Sequence, residues 1–162
     1  MTAVEIVSAL ADKARAASRT LSVATGAERK AALELIAQAI ESRSAEIIAA
    51  NELDMANARK DQMHPQMQDR LLLTPERIAS IAGGARQVAA LPDPLGITLR
   101  ESTLPNGLEL KQISVPFGVI GMVYEARPNV TVDAAVILVM SGNAAMLRGS
   151  STARNSNEIL VN

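Results

Sequence analysis

The spacing of apolar residues changes twice along this 162-residue chain, and these changes divide it into three parts. From Thr2 to about Ala90 apolar residues recur three and four positions apart, which is the spacing of one helix face. Thr25 followed by Glu28 is a capping-box signal for one helix start, and Thr74-Pro75-Glu76 is typical of another. A helical part is therefore predicted over residues 1–94.

A β-hairpin arm is predicted for residues 95–116. Two segments alternate apolar and polar residues, Ile97–Leu99 and Leu108–Leu110. Between them Pro105-Asn106-Gly107 predicts a tight turn, because Asn-Gly supplies the positive φ angles of a hairpin turn. The alternation slips between Leu110 and Ile113, which indicates a β-bulge.

The last part, residues 117–162, predicts two β-α units of an α/β sheet. Gly118–Tyr124 is apolar on both faces, as a central parallel strand requires. A helix over Thr131–Met140, a strand over Ala144–Leu147 and a second helix follow. Because an open sheet usually has about four to six strands, we expect this sheet to be incomplete and the chain to be the front part of a longer protein.

Composition limits the kinds of function. Sixteen basic and seventeen acidic residues are scattered along the chain, so a nucleic-acid partner is not expected. With no cysteine and one histidine, neither a disulfide framework nor a metal site is predicted, and His64 is interpreted as an exposed loop residue. The N-terminus does not resemble a signal peptide and the longest apolar run is too short to span a membrane, so we expect a cytoplasmic location with no membrane partner.

Two polar loops follow the two predicted strands, at the edge of an α/β sheet where ligands bind. In the loop over residues 125–129, Arg127 suits a carboxylate or phosphate, and the Asn129 amide suits a developing oxyanion. The alternative is a proline-containing turn in which Asn129 caps the next helix. Spacing alone favours the alternative.

The second loop, Arg148-Gly149-Ser150-Ser151, places a guanidinium and two hydroxyls beside a helix start. Free N–H groups at such a start attract an anion, so a phosphate-bearing ligand would fit. The alternative is that glycine makes the turn and serine caps the helix, which spacing alone again favours. Neither loop contains the GxGxxG dinucleotide motif.

A resemblance to a known family favours the functional interpretation of both loops. The matching residues include Tyr124-Glu125-Ala126-Arg127-Pro128-Asn129-Val130-Thr131 within residues 115–133, Ser141-Gly142-Asn143-Ala144, Leu147-Arg148-Gly149, Asp69–Arg77 and Leu91–Pro94. Together these segments resemble the gamma-glutamyl phosphate reductase family (glutamate-5-semialdehyde dehydrogenases) of the aldehyde dehydrogenase superfamily.

The resemblance implies an aldehyde-dehydrogenase-like fold. In it, residues 1–94 are the helical part of the cofactor domain, residues 95–116 are an arm used in homo-oligomer contacts, and residues 117–162 begin a Rossmann-like, NADP-binding sheet. It also implies reduction of L-glutamate 5-phosphate by NADPH in proline biosynthesis, through a cysteine thioester. This sequence has no cysteine, so the chain alone is expected to be inactive.

Roles for individual residues follow from the same resemblance. It places Asn129 at the oxyanion and Arg127 on the substrate, although Arg127 is an alternative candidate for the oxyanion position. The cofactor contacts are assigned to Glu125, Ala126, Arg148, Gly149 and Ser150. Ser150-Ser151-Thr152 departs from the glycine, lysine and glutamate expected in the family. The rival interpretation is a non-catalytic protein that uses the arm to pair with a full-length subunit.

Overall fold

The computed structural model describes residues 2–162, so Met1, at which the predicted helical part begins, lies outside the described residues. Five helices come first: α1 (Ala3–Val23), α2 (Gly26–Ser42), α3 (Ser44–Lys60), α4 (Pro65–Leu71) and α5 (Pro75–Ala90). Four strands and two helices follow: β1 (Thr98–Thr103), β2 (Glu109–Ile113), β3 (Val119–Val123), α6 (Pro128–Met140), β4 (Ala144–Arg148) and α7 (Arg154–Val161). A single 3₁₀ turn, Ser151–Ala153, separates β4 from α7.

Side chains at the helix starts explain where the first helices begin. The Thr25 hydroxyl accepts from the Glu28 backbone N–H at 3.2 Å, and the Glu28 carboxylate accepts from the Thr25 N–H at 2.7 Å, so the predicted capping box is confirmed. Thr74 caps α5 in the same way through the N–H of Arg77. His64 is exposed as expected, but it also caps α4, a helix that the sequence interpretation missed.

The main core lies where α2, α5 and α6 meet. Leu33 of α2, Ile78 of α5 and Val136 of α6 are almost completely buried there. Since α6 belongs to the β-α part of the chain, the helical part and the β-α part share one core. Across residues 2–162 no helix is both long enough and apolar enough to cross a membrane.

The predicted hairpin is confirmed, with its turn over Pro105, Asn106 and Gly107, but the φ of Asn106 and the position of the bulge differ from the prediction. Leu104 N donates to Leu108 O and Gly107 N donates to Leu104 O, each at 2.9 Å, and Gly107 has φ +84° while Asn106 does not adopt a positive φ. This is the three-residue loop that ends in a left-handed glycine, because proline at the first loop position favours an ordinary turn. The bulge is real but lies on β1, where Leu99 is the extra residue opposite the step from Gln112 to Ile113.

Strands β3 and β4 form a parallel pair connected through α6. The register runs from Val119 opposite Ala144 to Val123 opposite Arg148. In the described chain β3 has β4 as its one strand neighbour, so Val123 is 73% exposed rather than buried as a central strand would be. The prediction that β3 is a parallel strand is confirmed. Residues 2–162 do not bury its apolar side chains on both faces.

Candidate cofactor and substrate site

The two predicted loops leave the sheet side by side. Val123 and Arg148 are the last paired residues of β3 and β4, and Tyr124 N donates to Arg148 O at 3.1 Å. The carboxyl ends of neighbouring parallel strands meet at one edge, which is where open α/β sheets bind ligands. The structure therefore brings the Glu125–Asn129 loop and the Arg148–Ser151 loop together, as the sequence predicted.

Arg148 is exposed at the end of β4. Within residues 2–162 its guanidinium has neither a carboxylate partner nor a side-chain hydrogen bond, although arginines elsewhere in the fold, such as Arg29 and Arg86, are paired. A guanidinium that is held by the strand end and left unpaired is available to an incoming anion.

Gly149 is required by a close approach of side chains. A Cβ atom at this position would overlap Asn157 Nδ2 and lie 3.1 Å from Tyr124 Cε2. The Ser150 hydroxyl accepts from Thr152 N at 3.3 Å and caps the 3₁₀ turn. The alternative interpretation, in which a serine of this loop is a helix cap, is therefore correct for Ser150. Any contact of Ser150 with a cofactor must therefore share that hydroxyl or use the backbone.

Three side chains next to Gly149 form a hydrogen-bond network that the sequence did not predict. Tyr124 Oη lies 2.7 Å from Thr131 Oγ1, and Thr131 Oγ1 donates to Asn157 Oδ1 at 2.8 Å. This network connects the end of β3, the second turn of α6 and the middle of α7. It fixes these elements around the Arg148–Ser151 loop.

The start of α7 is less open to an anion than predicted. The buried carboxylate of Asp54, on α3, accepts from the backbone N–H of Asn155 at 3.1 Å and from that of Ser156 at 2.8 Å. These two N–H groups are therefore not free. Attraction of an anion to this loop rests on Arg148 and on the short 3₁₀ turn.

The first loop has one buried anchor. Ala126 is 4% exposed and packs with Met55, Leu71 and Ala153 in a second, smaller apolar cluster. Glu125 is exposed, and its carboxylate lies 3.5 Å from Arg70 Nη1. The side chain of Ala126 thus positions the loop, and contact with a ligand is left to its backbone.

Arg127 and Asn129 lie at the start of α6, but neither side chain caps the helix. Arg127 is the N-cap residue and makes no side-chain cap bond. Asn129 Nδ2 donates to Asp133 Oδ2 at 3.0 Å, so the alternative in which Asn129 caps the helix is wrong. Proline at the first helical position makes a cap less necessary, since Pro128 has no N–H to satisfy. The second amide hydrogen of Asn129 remains available as a donor.

A cavity of about 360 Å³ adjoins the first loop. Its lining comes from α4, α5, the segment between them and the start of α6: Asp69, Arg70, Leu72, Leu73, Arg77, Ser80, Ile81, Arg127, Asn129 and Asp133. Arg127 and Asn129 therefore share one cavity, whereas Arg148, Gly149 and Ser150 lie outside its walls. The described residues bring no three His, Cys, Asp or Glu side chains together as a metal site.

Two curated relatives of this chain carry the same name. A Kineococcus radiotolerans protein named gamma-glutamyl phosphate reductase is 53% identical over 157 residues, which are 97% of this chain and 36% of that protein. One of the same name from Geobacillus thermodenitrificans is 54% identical over 93% of this chain and 36% of its own length. No family model matches the chain.

Solved structures agree with the sequence relatives. The crystal structure of gamma-glutamyl phosphate reductase from Thermotoga maritima superposes with a TM-score of 0.91 at 38% identity, over 93% of this chain and 36% of that one. The enzyme of the same name from Saccharomyces cerevisiae gives a TM-score of 0.85 at 30% identity. The chain spans little more than a third of these proteins. In both sequence and fold it matches the N-terminal portion of the gamma-glutamyl phosphate reductases, and it has the start of their aldehyde-dehydrogenase-like architecture.

Proposed function

We propose that this chain contributes the cofactor edge and part of the substrate site to an oxidoreductase of proline biosynthesis. The reaction is the NADPH-dependent reduction of L-glutamate 5-phosphate to L-glutamate 5-semialdehyde with release of phosphate. The observation that carries the proposal is the similarity to proteins named gamma-glutamyl phosphate reductase. This similarity extends over more than nine-tenths of the chain and includes both loops at the sheet edge. The proposal includes a cytoplasmic location.

The residues at the sheet edge suit a phosphate-bearing nicotinamide cofactor. Arg148 offers an exposed guanidinium that is unpaired within residues 2–162, and this group suits a phosphate because it forms a bidentate fork. We assign Arg148 to the adenosine phosphate, Gly149 and Ser150 to neighbouring backbone contacts, and the backbone of Glu125 and Ala126 to the nicotinamide side. When bound, the cofactor supplies the hydride.

The substrate is assigned to the cavity beside the first loop. Arg127 has no carboxylate partner within residues 2–162, so it is free to bind an anionic substrate. Asn129 keeps one amide hydrogen for the oxyanion that forms when the acyl carbon becomes tetrahedral. The exposed guanidinium of Arg127 is the alternative donor for that oxygen.

The covalent step needs a thiolate that this sequence does not contain. A thiolate suits this step because it attacks an acyl phosphate readily and leaves readily when hydride arrives. Since this sequence has no cysteine, we assign the thiolate to the part of the relatives that this chain does not match. The chain by itself is accordingly expected to show no reductase activity.

A homo-oligomer built through the arm is part of the same proposal. Leu99, Leu110 and Ile113 are between 44% and 61% exposed on the two arm strands, and both strands have an unpaired edge within residues 2–162. Exposed apolar side chains next to open strand edges favour strand pairing with another copy. These features also support the rival function, a non-catalytic subunit that pairs with a complete one.

A chimera tests the enzymatic proposal. Residues 2–162 replace the matching portion of the Kineococcus radiotolerans protein, and activity is followed as phosphate-dependent reduction of NADP by L-glutamate 5-semialdehyde. The chimera is expected to be active. An inactive but folded chimera, beside an active parent protein, would contradict the proposal and favour the non-catalytic function.

In the same chimera Arg148→Ala tests the cofactor assignment. A charge-assisted hydrogen bond is worth about 1.5–3 kcal/mol, so the dissociation constant of NADPH should rise about ten- to a hundredfold. NADH lacks the extra phosphate and should be much less affected. Arg59→Ala, which replaces an exposed arginine in the last turn of α3, is the matched control. Equal losses for NADPH and NADH would exclude the adenosine phosphate as the partner of Arg148.

A further inference from the structure

The cavity beside the first loop contains charged groups of both signs, and most of them are already paired. Arg77 Nη2 lies 2.7 Å from Asp69 Oδ1, and Arg70 lies 3.5 Å from Glu125. Two charged groups in the wall have no ion-pair partner within residues 2–162, the guanidinium of Arg127 and the carboxylate of Asp133. An incoming ligand therefore meets one free positive and one free negative charge.

Asp133 is the less solvated of these two groups. It is half-buried, Oδ2 accepts from the Asn129 amide, and no donor reaches Oδ1 from the described chain. A partly buried carboxylate with one neutral hydrogen bond is poorly compensated, and such a group gains most from a cationic ligand. Within residues 2–162 no cationic side chain balances the charge of Asp133.

The positions of Arg127 and Asp133 suit a ligand that carries charges of both signs. Arg127 is the N-cap residue of α6 and Asp133 lies six positions later, so their backbones are about 9 Å apart along the helix axis. Arg127 is at the sheet edge, where the proposed reaction takes place, and Asp133 is farther from it. A ligand with an anionic group at one end and an ammonium group at the other would satisfy both.

We propose that Asp133 binds the α-ammonium group of the substrate and makes this cavity selective for α-amino acids over the corresponding dicarboxylic acids. The inference rests on the proposed function, since it places the reacting end of the substrate beside Arg127. Asp133 is thereby a specificity residue, and Arg127 binds the anionic end.

The test compares two ligands that differ by the amino group. L-Glutamate and glutarate are titrated into the purified chain, and binding is followed by chemical-shift changes in the amide NMR spectrum. The wild-type chain should bind L-glutamate about tenfold or more tightly than glutarate, because one charge-assisted contact is lost with glutarate. Equal binding of the two ligands, or no binding of L-glutamate, overturns the inference whatever the variants show.

Variants assign the preference to one carboxylate. Asp133→Asn should bind L-glutamate and glutarate equally, and Asp133→Glu should keep the preference. Asp69→Asn is the matched control, because Asp69 lines the same cavity but is already paired with Arg77. Circular dichroism checks that each variant is folded. A preference that persists in Asp133→Asn overturns the assignment.

A separate titration with NADPH distinguishes this inference from the proposed function. Preference for L-glutamate in a chain that does not bind NADPH upholds the specificity role of Asp133 and contradicts the reductase. NADPH binding without that preference upholds the cofactor edge and overturns the inference.

Discussion

The buried carboxylate of Asp54 should be one of the main supports of the proposed cofactor edge. It is 2% exposed and accepts four hydrogen bonds from the start of α7. Oδ1 accepts from the backbone N and from Nδ2 of Asn155, at 3.1 and 2.7 Å. Oδ2 accepts from the backbone N and the hydroxyl of Ser156, at 2.8 and 2.7 Å. A side chain on α3 thus caps a helix about a hundred residues later in the chain.

Asp54→Asn preserves the shape of the side chain but replaces one acceptor with a donor. The amide oxygen can still serve one pair of donors, while the amide nitrogen faces the other pair. A buried N–H left without an acceptor costs about 1–3 kcal/mol, and the bonds that survive lose the assistance of the charge. We expect a loss of about 2–4 kcal/mol in the free energy of unfolding, a large share of the about 5–15 kcal/mol typical of a domain.

Urea unfolding followed by far-UV circular dichroism measures this loss. Asp12→Asn is the control, because Asp12 is exposed on α1 and within residues 2–162 its one polar partner is Arg15, so its replacement should change stability by less than about 0.5 kcal/mol. If Asp54→Asn is as stable as Asp12→Asn, the carboxylate does not hold α7 and the reasoning is wrong.

Three further predictions concern other positions. Gly149→Ala should lower the free energy of unfolding by about 1–3 kcal/mol, because the new methyl group overlaps Asn157 Nδ2, and Asn157→Ala should restore part of the loss in a double-variant cycle measured in urea. The pKa of Asp93 is held below its ordinary value by the N–H of the residue two positions later and by the guanidinium of Arg29, so the unfolded chain binds the proton more readily. The stability that Asp93 contributes is therefore present above about pH 4 and lost as the pH falls through its folded pKa, and Asp93→Asn should flatten the urea midpoints across that range. Gly107→Ala should cost about 1–2 kcal/mol, because φ is +84° in the arm turn, and amide exchange should show the loss in the arm while the helices stay protected.

The sequence predicts best those features that depend on neighbours in the chain. Thr25 and Glu28 satisfy each other across one turn, and Thr74 followed by Pro75 sets the start of α5 in the same local way. The hairpin was predicted for the same reason. Its turn class was not, because Pro105 and Asn-Gly favour different loops and only the register of the strands decides between them.

Partners distant in the chain explain what the sequence could not predict. Nothing near Asp54 indicates that it caps α7, and nothing near Thr131 indicates its bond to Asn157, because each partner is brought close only by packing. The position of both loops at one sheet edge was predictable, since it follows from two parallel strands alone. The hydrogen-bond partner of each side chain in those loops was not predictable. Asn129, which donates to Asp133 instead of capping α6, is the clearest case.

The helical part of the chain supports the sheet edge as well as the core. Asp54 holds the start of α7, Ala126 packs against the side chains of Met55 and Leu71, and Arg77 lines the cavity beside the first loop. The contacts of Asp54 and Ala126 join α3 and α4 to the elements at the sheet edge. The boundary near residue 95 is thus a change in secondary structure within one packed body, so substitutions in α3 or α5 can alter ligand binding without lying at the sheet edge.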